Sequence, residues 1–324
     1  MKSRVWVVIS IVFLVVLVVL GGTIWWLWQV DLLPTRDAKM HTLLQEQNKQ
    51  LNEVSSVPTS TVAKMPDMPG LSTSTTHTTS TATSTISKLP PIKDMKVGFG
   101  ILMYHYIDDN PHHSKAVDLH VLPEVLDAQI KYLLDKGYTF VTFNEAVDMF
   151  KKNGKTPPKT LVLTFDDGYR TLYTAAFPIL KKYHVEASAY IISQDIGHEG
   201  NVTWGMLKEL SKSGLIEIGD HTVNHKDLKK LSEADQRFQI GQNKEDLEKG
   251  LGITVNTIVY PYGEYNTTTE KIVKDFDFNG GAAVYNGVRA NTKDYYNWRR
   301  VQMENKDVGD ELLKTLYIAF EYGK

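Results

Sequence analysis

At 324 residues the chain is long enough for one or two domains with a substantial core. Its 42% hydrophobic and 23% charged residues are ordinary for a globular protein, and a net charge of −2 without a basic run gives no case for a nucleic-acid partner. No cysteine is present, which excludes disulfides, thiolate metal sites and a cysteine nucleophile, so any metal must be held by His, Asp or Glu.

The N-terminus reads as a membrane anchor. After Lys2 and Arg4, residues 5–28 carry no charge, and this length exceeds the ~20 residues that cross a bilayer. Trp25, Trp26 and Trp28 stand where an aromatic belt meets the outer headgroups, and the two leading cations favour residues 1–4 in the cytoplasm with the remainder exported. A cleaved signal peptide would have a shorter apolar core of about 7–15 residues and an A-x-A-like site, which the sequence lacks. Residues 38–54 predict a short helix, too short for a coiled coil. In residues 71–87, 13 of 17 are Ser or Thr, so little apolar surface offsets the entropy of ordering, and 29–95 as a whole reads as a disordered, extracellular stalk.

From 96 to 324 the pattern is that of a domain alternating strands and helices. VGFGILMYH (97–105) predicts a buried strand, 123–137 an amphipathic helix, TLVLTF (160–165) a strand, 174–184 a helix and EASAYIIS (186–193) a strand. Thr203 predicts the N-cap of a helix that stops at Gly214. Strands follow at 215–219, 256–261 and 280–285, with helices near 232–249, 267–276 and 309–321. This alternation predicts an α/β fold of parallel strands, open or barrel-like, whose chemistry gathers at the carboxyl ends of the strands.

One such end carries two adjacent carboxylates, Asp166 and Asp167 in LVLTFDDGY (161–169). Side chains that neighbour along a strand face opposite ways, but a bend at Gly168 would let both enter one pocket. Two carboxylates in one pocket repel unless a cation is present or one holds a proton. IGDHTVNH (218–225) supplies His221 and His225 just past another strand, at the i, i+4 spacing of a helical turn. Two His and one Asp form a three-ligand site of the open, catalytic kind, which leaves the other aspartate free as a base.

TFDDG, HTVNH and a later YPYG together resemble the polysaccharide deacetylase family, carbohydrate esterase family four, over residues 97–305. The resemblance implies a deformed (β/α) barrel. It also implies that Asp166 is the general base, that Asp167, His221 and His225 hold a divalent ion, most simply Zn2+, and that the backbone N–H of Tyr262 stabilises the oxyanion. Two departures stand out. Val259 occupies the position of the family's arginine before the third-motif proline, and no histidine follows His225. ILMYH (101–105) resembles the missing L-x-H motif moved to the front, the order of the circularly permuted branch that includes poly-N-acetylglucosamine deacetylases, which makes His105 the general acid. Arg299 or Arg300 in NWRRV then replaces the arginine and orients Asp166. Asp220 stands where relatives carry Ser and is expected to hydrogen-bond a ligand histidine. His112, His113 and His120 are expected to be exposed or at the groove rim.

The implied activity is metal-dependent N-deacetylation of a glycan containing N-acetylglucosamine, by a single-pass enzyme on a Gram-positive cell surface. The anchor and stalk resemble deacetylases acting on the linkage unit between a rhamnose polysaccharide and peptidoglycan. Peptidoglycan itself, an exopolysaccharide, an O-acetyl ester of the xylan type and a non-catalytic glycan-binding role are the competing readings.

Overall fold

The computed structural model describes residues 89–91, 94–110, 115–284 and 294–322. These all fall in one unit of the chain, Thr79–Lys324. The expected anchor, the helix at 38–54, nearly all of the stalk, and His112 and His113 lie outside the described residues. Among those described, no helix is long and apolar enough to cross a membrane.

Among the described residues eight strands run parallel: β1 (Phe99–Tyr104), β2 (Thr139–Phe140), β3 (Thr160–Phe165), β4 (Ala187–Ile191), β5 (Ile216–Asp220), β6 (Thr257–Val259), β7 (Gly280–Ala282) and β8 (Val301–Gln302). Their order is β7-β6-β5-β4-β3-β1-β8, with β2 also on β3. The sheet curls into a half-barrel. One parallel bridge, Ala282 to Trp298, links β7 to the segment leading into β8, with the Ala283 N–H donating to the Trp298 carbonyl at 2.8 Å. The helices are α1 (Pro123–Asp135), α2 (Phe143–Asn153), α3 (Phe177–Tyr183), α4 (Trp204–Lys212), α5 (Glu233–Leu251), α6 (Thr267–Asp275) and α7 (Asp310–Tyr322).

Strand alternation sorts the core into two layers. Leu161, Leu163 and Phe165 of β3, Ala187 and Ala189 of β4, and Ile216 and Ile218 of β5 pack outward with helix residues such as Leu126, Leu207 and Ile240. The alternate residues Ile101, Val162, Tyr190 and Val259 face inward, where Phe143, Ala146, Val147 and Phe150 of α2 and Trp298 join them. Helix α2 therefore plugs the amino end of the half-barrel. It begins with a capping box, Thr142 accepting from the Glu145 N–H while Glu145 accepts from Thr142, and ends at Gly154 with φ 72°. The T-x-x-E of TFNE is the sequence signal for this helix, which is additional to the elements expected from periodicity. The Thr203 N-cap forms as expected, and Thr203 accepts from the Met206 N–H.

The place of β1 is what the permuted order requires. It lies between β3 and β8, with Tyr104 level with Phe165, so His105 and Asp166 leave neighbouring parallel strands side by side.

Candidate active site

Asp166 and Asp167 do enter one cavity, and the backbone between them explains how. Asp167 has φ 67° and Gly168 φ 74°, while the Gly168 N–H donates to the Asp166 carbonyl at 2.9 Å. The reversal turns Asp167 back beside Asp166. A Cβ at Gly168 would lie 3.2 Å from Ile191 as well as demanding a left-handed backbone. Of the eight described non-glycine residues with positive φ, four are here: Asp167, Thr222, His225 and Tyr262. Such conformations cost free energy, most of all at a β-branched residue such as Thr222, and they persist where the surroundings over-determine them.

Asp166 is 2% exposed and is gripped by Arg300, itself fully buried. Nη1 donates to Oδ1 and Nη2 to Oδ2, each at 2.7 Å. Two further guanidinium donors reach Thr164 Oγ1 at 3.0 Å and the Ala283 carbonyl at 3.1 Å. Burial pushes the Asp166 carboxyl up, but the Arg300 charge and its hydrogen bonds outweigh burial and hold it below the usual carboxylate range. Of the two candidate arginines, Arg300 is the one in this bidentate pair.

Asp167 faces a different set. Its Oδ1 lies 3.2 Å from His221 Nε2 and 3.5 Å from His225 Nε2, yet has no aligned hydrogen-bond partner. The ligand atoms of these three residues all lie within 4.8 Å of one another. A buried acceptor without a donor, converging with two imidazole nitrogens, fits a divalent cation of the zinc type. Burial raises the Asp167 carboxyl, but the histidines more than reverse this and depress it. For His221 burial works downward, and its carboxylate neighbours, Asp167 first, lift it above its ordinary value.

Two expectations about the histidines are corrected. The stretch between them is not a helical turn: Thr222 and His225 are both left-handed, at φ 66° and 55°. The turn is held instead by Asp220, whose Oδ1 accepts from the Thr222 N–H at 2.8 Å, by Thr222 Oγ1 accepting from the His225 N–H at 3.1 Å, and by Gln239 of α5. Nor does Asp220 orient the ligand histidine. His221 Nδ1 lies 2.7 Å from the Val259 carbonyl, which points Nε2 at Asp167. Burial pushes the Asp220 carboxyl up to about 7.

His105 Nε2 lies 3.8 Å from Asp166 Oδ2, and burial lowers its pKa against the opposing pull of Asp166 and Asp167. Tyr262, after β6, has φ 59° and a largely exposed ring whose centroid is 4.5 Å from that of His225. The glycine that follows it is needed, since a Cβ at Gly263 would meet the Val284 nitrogen at 2.6 Å. His105, Asp166, Asp167, His221, His225 and Tyr262 border a cavity of about 420 Å³, which Tyr169, Asp195 and Gln302, unassigned by the sequence, also line. Tyr169 stacks on Tyr106 at 3.6 Å; burial first, then the Asp167 charge, raise the phenol well above its usual value. His120 departs from expectation. It is buried, stacked on Tyr106 at 4.3 Å, with Nδ1 2.5 Å from Asp108.

A parallel half-barrel clusters two histidines and an aspartate at its carboxyl rim, a group that could hold a metal ion, beside a second aspartate clamped by arginine. Residues 153–281 match the family model described as "Polysaccharide deacetylase". YxkH of Bacillus subtilis is 32% identical over 203 residues, 63% of this chain and 70% of that protein. The poly-beta-1,6-N-acetyl-D-glucosamine N-deacetylase of Staphylococcus aureus is 33% identical over 184 residues, spanning 52% of this chain and 63% of that enzyme. The solved structure of the Streptococcus pyogenes deacetylase PplD in complex with acetate superposes with a TM-score of 0.63 at 32% identity, covering 68% of this chain and 99% of that one. The chain belongs to the polysaccharide deacetylase family. His105 and Arg300 fall outside the segment matched by the family model, one on each side of it.

Proposed function

We propose that the protein is a metal-dependent de-N-acetylase that removes acetyl groups from N-acetylglucosamine residues of a cell-wall glycan. The observation that carries this reading is the division of labour between neighbours, Asp166 clamped by Arg300 and Asp167 turned to two histidines. Asp167, His221 and His225 would hold the divalent ion, zinc by the chemistry of the donor set. Such an ion supplies Lewis acidity toward the acetyl carbonyl and a water acidic enough to attack it.

The chain's own residues supply the proton traffic. Asp166, kept ionised by Arg300, accepts the proton of the attacking water. The backbone N–H of Tyr262 donates to the carbonyl oxygen as its charge develops. His105, across from Asp166, gives its proton to the departing nitrogen, because an amide anion is too poor a leaving group. The bond broken is the amide C–N, and the products are acetate and a glucosamine with a free amine.

The substrate favoured is the N-acetylglucosamine unit that links a wall polysaccharide to peptidoglycan, reached from outside the cell by a domain held on the uncharged segment 5–28 and the Ser/Thr-rich stalk. The activity of the staphylococcal relative, deacetylation of an N-acetylglucosamine polymer, supports the sugar. Acetate release from purified wall, peptidoglycan and exopolysaccharide fractions, with and without chelator, tests the proposal. Chelator-sensitive release highest from linkage-unit fractions is expected. Release from exopolysaccharide alone would overturn the substrate, and release that survives metal removal would overturn the mechanism.

A further inference from the structure

Three carboxylates line the catalytic cavity, and the chemistry above uses two. The third, Asp195, ends the 3-10 turn Ser193–Asp195 that follows β4. Its side chain is 39% exposed, and the ion pair it makes among the described residues is a loose one, 3.9 Å to the exposed ring of His198. No hydrogen bond from a described residue reaches its carboxylate, so the fold does not account for it.

The backbone that carries Asp195 is, by contrast, firmly tied. The Ser193 N–H donates to Asn243 Oδ1 at 2.8 Å and its hydroxyl to Asp246 Oδ2 at 3.0 Å, both on α5. The Gln194 N–H donates to the Val223 carbonyl at 3.1 Å, in the turn between the two ligand histidines. Asp195 thus stands on the element that is stitched to the metal-ligand turn, and its position is fixed relative to His221 and His225. It does not belong to their cluster, which gathers Asp167, His221 and His225 alone. Burial raises its carboxyl above the ordinary value, opposed by His198 and assisted by Asp167.

A carboxylate carried over the cavity on a tied backbone, part-exposed and without a donor from the described residues, is placed to accept from a ligand that brings donors. A pyranose is such a ligand, since its ring hydroxyls seek acceptors. The other two carboxylates of the cavity have posts already: Asp166 is held by Arg300, and Asp167 is turned to the two histidines. We propose that Asp195 reads the sugar, its carboxylate accepting hydrogen bonds from ring hydroxyls of the pyranose whose acetamido group faces Asp167, His221 and His225. It is then a specificity-determining residue that separates acetylated sugars from sugar-free acetyl compounds. This inference rests on the deacetylase reading.

The test compares an N-acetylglucosamine oligomer with an aryl acetate, which has no pyranose, in the full-length protein, Asp195→Asn and Asp195→Ala. Oligomer binding by calorimetry, zinc affinity and thermal midpoint are measured alongside. Asp195→Ala is expected to raise the oligomer KM about tenfold and to lower the oligomer-to-aryl-acetate ratio of kcat/KM by a similar factor. Asp195→Asn, whose amide oxygen still accepts, should lose less. An unchanged ratio overturns the inference while leaving the deacetylase reading intact, and so does a fall in zinc affinity, which would make Asp195 a metal ligand. A protein that binds the oligomer through Asp195 but releases no acetate overturns the deacetylase reading alone. One that neither binds nor hydrolyses it overturns both.

Discussion

At the amino end of the half-barrel, Glu217 of β5 accepts from Ser188 Oγ at 2.6 Å, Thr257 Oγ1 at 2.6 Å and the Asn144 N–H at 3.1 Å, where α2 begins. At the carboxyl end, Asp167 has a buried oxygen without a donor, a left-handed backbone and two histidines beside it. Each end holds an acidic side chain out of full contact with water, Glu217 part-buried and Asp167 buried. One is surrounded by its partners in the fold; the other is left for a partner from outside. Even so, burial outweighs the hydrogen bonds at Glu217 and raises its carboxyl, whereas the histidines depress Asp167. The difference teaches that polar burial alone does not mark a site. Incomplete satisfaction combined with backbone strain does.

The sharpest way to break this comparison is at Asp166, a carboxyl-end carboxylate that the fold does satisfy. Arg300→Met strands that carboxylate in the interior and should cost about 3–5 kcal/mol of stability in denaturant titration. A second change, Asp166→Asn, should restore a large part of it. A loss below about 1 kcal/mol from the single change would mean that Arg300 does not neutralise Asp166. At the other end, Glu217→Ala leaves the Ser188, Thr257 and Asn144 donors without their acceptor. The expected cost is about 2 kcal/mol in the same titration, with zinc affinity unaltered. If zinc binding moved with it, the two ends would not be independent.

Protons sharpen the comparison further, because only the carboxyl end should exchange them for metal. His221 has its folded pKa raised above the ordinary value by its carboxylate neighbours, Asp167 first. In the metal-free protein it contributes stability that is fully present below that value and lost as pH rises through the higher folded pKa. Zinc needs the ring neutral, so its affinity should fall as pH drops through the same point, by about tenfold per unit for each proton displaced. A flat profile there, measured by zinc titration, would remove His221 from the ligand set. The smallest effect belongs to the plug. Thr142→Ala removes the α2 cap and should cost about 1 kcal/mol in thermal unfolding, without a change in oligomer KM.

Much of the site was legible because its residues cluster in short motifs at strand ends. TFDDG carries both carboxylates and the glycine that reverses the chain, and HTVNH carries both imidazoles. What was illegible depended on direction in space. Arg299 and Arg300 are adjacent in NWRRV, and only the approach of that segment to β1 decides that Arg300 enters the interior. His120, in a polar loop, is buried because Tyr106 offers it a ring face and Asp108 a carboxylate. The Val259 carbonyl does the orienting work assigned to Asp220, a backbone role that side-chain identity does not reveal. The parallel alternating fold was read from periodicity, whereas α2 was passed over despite its capping signal. Asp195 gave no motif at all, and its interest rests on the turn that fixes it.

The central claim is that two adjacent aspartates hold different posts. Zinc content and acetate release, measured together on Asp166→Asn and Asp167→Asn, test it most directly. The account predicts that Asp166→Asn keeps its zinc and loses turnover by about 10²–10⁴-fold, while Asp167→Asn loses zinc and turnover together. An Asp166→Asn protein that releases acetate at the wild-type rate, or one that loses its zinc, would contradict it.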